Sequence, residues 1–63
     1  MENKIINLFK SMETEFNEAA SDAAKFTQGN SSAGTRVRKA MQNIKALAQE
    51  VRTEVQEQKN VLV

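Results

Sequence analysis

The sequence predicts an all-α protein: an antiparallel helical hairpin of two long helices, dimerising into a four-helix bundle. Three observations lead there. Apolar residues recur in alternating steps of four and three along both halves of the chain. A single Gly-Asn step, Gly29-Asn30, interrupts that pattern near the middle. Little else breaks a helix, because the 63 residues include no proline and only two glycines. One domain, 1–63, is expected, with a helix over about 2–27, a turn over 28–31 and a helix over about 32–60.

In the first arm the apolar positions are Ile5, Phe9, Met12, Phe16, Ala19, Ala23 and Phe26. This is a heptad seam, which a strand cannot produce. Ile6 and Leu8 widen its start. Ala19, Ala20, Ala23 and Ala24 narrow it toward the turn, where small side chains let a second helix approach closely. The phenylalanines and internal methionines are expected to face inward as core, which leaves no exposed aromatic platform for stacking bases. Glu15, Glu18 and Asp22 fall at i, i+3 and i+7, an acidic strip beside the seam.

Gly29 and Asn30 are the residue types that most readily take left-handed backbone angles, so the first helix should stop there and the chain reverse. Asn30, Ser31 or Ser32 can then cap the second helix by accepting from its free N–H groups. The seam resumes at Val37, Met41, Ile44, Ala48, Val51 and Val55, with Ala40 and Leu47 broadening it. Each arm is on the order of 25 residues, or ~37 Å long. Both seams are wider than one partner helix covers, and a chain this short buries little apolar surface alone. Two hairpins pressed face to face would cover the excess, around a dimer core of Phe9, Met12, Phe16, Met41, Ile44, Leu47 and Val51. The terminal Val61-Leu62-Val63 either frays or continues the seam onto the partner.

Composition narrows the function. With no cysteine there is neither a disulfide nor a thiolate metal site, and with no histidine the hydroxyls have no evident activator. Glu15, Glu18 and Asp22 could be pictured as metal ligands on a bundle, but the di-metal bundles need Glu-x-x-His motifs. The expectation is a non-enzyme with no cofactor, no metal and no small-molecule substrate. No apolar run approaches the ~18 residues of a membrane span, and the start of the chain lacks the apolar region of a secretory signal. A soluble, cytoplasmic protein with no membrane partner is expected.

Charge is the informative feature. The net value is only +1, yet residues 1–28 carry −2 and residues 29–63 carry +3. That asymmetry fits either an acid–base paired hairpin or a local anion site. Arg36, Arg38 and Lys39 follow the turn within two helical turns, beside the hydroxyls of Ser31, Ser32 and Thr35. A helix start, with its free N–H donors and positive dipole end, favours a phosphate there; ordinary surface charge is the rival reading. Arg38, Lys45, Arg52 and Lys59 recur every seven residues in one row flanking the seam. They read either as coiled-coil edge positions that pair with acids such as Glu13, or as phosphate contacts along the helix.

The run Gly29-Asn30, Ala33-Gly34, Arg36-Val37-Arg38-Lys39 resembles the turn of the bacterial histone-one-like family, the chlamydial-type linker-histone-like nucleoid proteins. The likeness continues more loosely through Ile44, Lys45, Ala48, Arg52 and Lys59. Ser31 stands where that family usually has a lysine. The resemblance implies double-stranded DNA as partner and a chromatin-condensing role in the nucleoid. Carried over by residue, Arg36, Arg38 and Lys39 would bind phosphates, with Lys45 and Arg52 extending the surface. Family members often continue into a basic tail, so a chain stopping at Val63 is expected to bind weakly per subunit and to gain from dimerisation. The alternative, from another class, is a helical interaction module whose partner is itself or another helical protein.

Overall fold

The computed structural model describes residues 3–62, with side chains described from Asn3 to Asn60. The chain forms two helices, α1 (Lys4–Thr27) and α2 (Ser31–Leu62), packed side by side and antiparallel. Asn3 caps α1: its Oδ1 accepts from the Ile5 N–H at 2.8 Å, satisfying one of the donors that a helix start leaves free.

The reversal takes three residues, and each has a separate task. Gly29 adopts φ +104°, a region that side-chain-bearing residues avoid. The Gly29 N–H donates to the Phe26 carbonyl at 3.0 Å, and the Asn30 N–H donates to the Lys25 carbonyl at 3.1 Å. Together these close the end of α1 in a Schellman motif. Asn30 then opens α2, its Oδ1 accepting from the Ala33 N–H at 3.1 Å. Of the three capping residues the sequence allowed, packing selects the one next to the glycine.

Where the helices touch, the buried and half-buried positions of α1 are Ile5, Leu8, Met12, Glu15, Ala19 and Asp22, with Ala23 at the edge. Those of α2 are Ala33, Val37, Ala40, Ile44, Leu47, Val51, Glu54 and Gln58, flanked by Gly34 and Ala48. Both sets keep the alternating three–four spacing of a coiled-coil contact. The buried side chains among the described residues are Leu8, Ala19, Ala33 and Ala40. Three alanines in that set bring the two backbones close.

Within one chain this contact does not take in the phenylalanines, which were expected to face inward as core. Phe9, Phe16 and Phe26 are 54%, 51% and 53% exposed, and Met41 and Val55 are also exposed. Of the residues expected in a core, Met12, Ile44, Leu47 and Val51 lie in the helix–helix contact, half-buried. The physical reason is size. A contact built on alanine has no room for a phenyl ring, so α1 is turned until Leu8, Glu15 and Asp22 replace Phe9, Phe16 and Ala23 at the seam. Of the two carboxylates this brings inward, Asp22 is paired with Arg36, and the half-buried polar groups of α2 find partners at the rim. Lys4 Nζ lies 3.7 Å from Glu54 Oε2, and Asn3 and Gln58 exchange amide hydrogen bonds of 3.3 and 3.4 Å. Those contacts hold the open end of the hairpin. The expectation for Val61-Leu62-Val63 concerns side chains outside the described residues.

Candidate nucleic-acid interface

Two helices in one layer leave two broad faces, and the sequence makes them different. On one, Ala23, Phe26, Gly34, Val37 and Arg38 line a groove near the turn. Phe9 and Phe16 precede Ala23 by multiples of seven, and Met41, Ala48 and Val55 follow Gly34 by multiples of seven. Heptad spacing keeps each set on one line, so this is a phenylalanine face running the length of the hairpin. On the other, Glu15, Glu18 and Asp22 of α1 meet Arg36, Lys39 and Asn43 of α2 around a second groove. This is a carboxylate face.

The cation cluster expected after the turn is thereby divided. Arg36 Nε donates to Asp22 Oδ1 at 3.0 Å. Lys39 lines the same groove among three carboxylates. Arg38 lies on the phenylalanine side, in the groove that Ser31 and Thr35 also line. Ser32 is exposed in the first turn of α2. The structure therefore places Ser31, Thr35 and Arg38 together and separates Arg36 and Lys39 from them. Asp22, a member of the acidic strip that the periodicity places beside the seam, is Arg36's partner, which the spacing alone does not reveal. The opposite net charges of the two halves were the available signal.

The heptad row behaves differently. Arg38, Lys45, Arg52 and Lys59 are all exposed, and among the described residues none makes an ion pair. Arg52 shares a shallow depression with Glu57 without bonding to it. Successive members lie ~10.5 Å apart along α2, taking 1.5 Å per residue. The acids of α2 keep off this line: Glu54 sits in the seam, and Glu50 and Glu57 continue the line of Arg36 and Asn43. One edge of α2 is thus a strip of positive charge about 30 Å long, bordering the phenylalanine face.

No group of carboxylates among the described residues is arranged to hold a metal ion. No helix among them is long and apolar enough to cross a membrane.

No match to this chain was found among curated proteins or among solved structures. A family model does match: the one described as histone H1-like protein Hc1 aligns with residues 6–61, nearly the whole hairpin. The match spans the turn, the cation row and both seams. It carries the coarse functional statement, a histone-like role on DNA in the nucleoid with no catalysis. The chain belongs to the bacterial histone H1-like Hc1 family.

Proposed function

We propose that this hairpin binds double-stranded DNA non-specifically through its phosphates, as a homodimeric four-helix bundle that compacts the nucleoid. The observation that carries the reading is the row Arg38, Lys45, Arg52 and Lys59: four exposed cations on one line, with the acids of the same helix on other lines. A row of this kind follows the sugar–phosphate backbone by charge and releases condensed counterions when it docks. It offers nothing that reads base edges, so affinity should vary little with sequence. The hydroxyls of Ser31, Ser32 and Thr35 extend the strip at the start of α2, and Thr35 and Ser31 share a groove with Arg38. Lys39 and Arg36 contribute less, because carboxylates of α1 already share their surroundings.

A dimer would strengthen the same contact. One hairpin offers a single strip, whereas two strips in one particle raise the effective concentration of the second contact.

Fluorescence anisotropy with unrelated duplexes at several salt concentrations tests this. A dimer that neutralises about six phosphates should show log K falling against log salt with a slope near −5, at roughly −0.9 per phosphate. Replacing Arg38, Lys45 and Arg52 together by glutamine should weaken binding equally on every duplex and flatten that slope, with helicity retained. No binding even at ~20 mM salt, where screening is weak, would remove the DNA reading in favour of a helical interaction module.

A further inference from the structure

The hairpin is one layer thick, measuring 52 × 20 × 11 Å. Stable domains bury the apolar face of one layer against another, and here the second layer is missing from the phenylalanine face. The chain exposes 5074 Å². That is about 1,000 Å² more than the ~4,000 Å² expected of a compact monomer of its mass, whereas a stable interface takes about 800 Å² from each partner.

We infer that the phenylalanine face docks a second copy of this chain, with α1 of each copy lying over α2 of the other and both turns at the same end. This rests on the dimer reading above and specifies its interface. Shape and charge select the occupant and its orientation.

The α1 line of this face carries the bulky Phe9 and Phe16, while the α2 line carries Met41 and Ala48, which are pliable or small; Gly34, on the same line, is covered by Phe26 of its own chain. Within one hairpin these lines lie side by side and cannot fill each other. A two-fold axis parallel to the helices sets each large line over the partner's small one, which makes the face complementary to itself. Aromatic side chains of one copy then enter the shallow line of the other.

Charge excludes the opposite stacking. The cation row borders the α2 edge of the face, so α2 over α2 would bring two such rows together. The α1 edge of the same face is Ile6, Glu13 and Ala20, with no cation. Within the hairpin, Asp22 meets Arg36 and Lys4 meets Glu54, which sets Glu13 level with Lys45. A two-fold axis along the helices preserves that level across the interface, and Glu13 falls beside Lys45 of the partner subunit. Arg38, Arg52 and Lys59 stay open to solvent on the same edge. The two free strips then lie on opposite edges of the bundle.

Sedimentation equilibrium of the full chain without DNA, with circular dichroism for folding, tests the interface. Phe16→Glu should raise the dimer dissociation constant by about 100-fold or more, because it buries an unpaired charge at the centre of the contact. Asn43→Glu on the opposite face should leave it unchanged. Glu13→Lys and Lys45→Glu should each raise it by roughly fivefold through two symmetry-related like-charge contacts, and together they should restore it to near the parent value. The charge swap decides the matter if Phe16→Glu fails to fold. A Phe16→Glu chain that dimerises like the parent overturns the interface, and a double swap no tighter than either single change overturns the orientation. A monomeric parent overturns both along with the dimer, while leaving the DNA titration to stand or fall separately.

Discussion

Arg36 Nε lies 3.0 Å from Asp22 Oδ1, across the two helices and within two turns of the reversal. The guanidinium is half exposed, while the carboxylate is only 17% exposed. The first cation after the turn therefore answers a carboxylate of α1 and helps hold the helices together. A duplex that used Arg36 would have to compete with Asp22 for it.

Asp22→Asn should free Arg36 for phosphate. Denaturation in urea should show a loss of no more than about 1 kcal/mol, since ion pairs with one exposed member contribute little. Anisotropy titration should show tighter DNA binding, with a salt slope steeper by up to ~0.9 per chain. An unchanged slope would mean that Arg36 faces no phosphate.

Gly29→Val should destabilise the hairpin by about 1–2 kcal/mol, measured by thermal or urea denaturation. Nothing lies within 4 Å of a Cβ built at this position. The cost would come from the backbone alone, at φ +104°. A neutral result would show that the chain reverses without a positive φ at this residue.

Glu15→Leu should stabilise the hairpin by roughly 1 kcal/mol, a typical gain for apolar area removed from water at a half-buried site. Glu15 occupies a seam position and has no ion-pair partner among the described residues. A lower melting temperature would show that its carboxylate stabilises the seam.

Gly34 and Phe26 should show coupled effects. A Cβ on Gly34 would come within 2.6 Å of the Phe26 ring, so Gly34→Ala must displace that ring, which is half exposed and able to swing away. In a Phe26→Ala background the same change should stabilise by about 1 kcal/mol, the helix-propensity gain of alanine over glycine. A double-mutant cycle measures the difference between the two backgrounds. Zero coupling would mean that the ring does not rest on Gly34 in solution.

Much of the helix pattern was legible because it rests on local chemistry. The absence of proline, the heptad spacing from Ile5 to Phe26 and the lone Gly-Asn step each constrain the backbone without reference to distant residues. The position of the cation row was legible for the same reason: sevenfold spacing on a helix fixes a line, whatever packs nearby. The fate of individual charges was not. Arg36, Arg38 and Lys39 are near neighbours in sequence, yet consecutive helical positions point about 100° apart, and the second helix decided which of them met a carboxylate.

Periodicity and the Gly-Asn step establish two helices and a reversal, with more apolar surface than two helices can bury against each other. They could not say which part of each wide stripe would be buried. Phe9 and Leu8, or Phe16 and Glu15, are almost equally well placed by periodicity, since adjacent positions differ by one step around the helix. Only the tertiary structure chose between them. Ala19, Ala33 and Ala40 bring the backbones so close that bulky rings are turned out of the contact and a few polar groups are taken in. That choice leaves the rings on one face, the carboxylates with Arg36 and Lys39 on the other, and the row from Arg38 to Lys59 exposed along the edge.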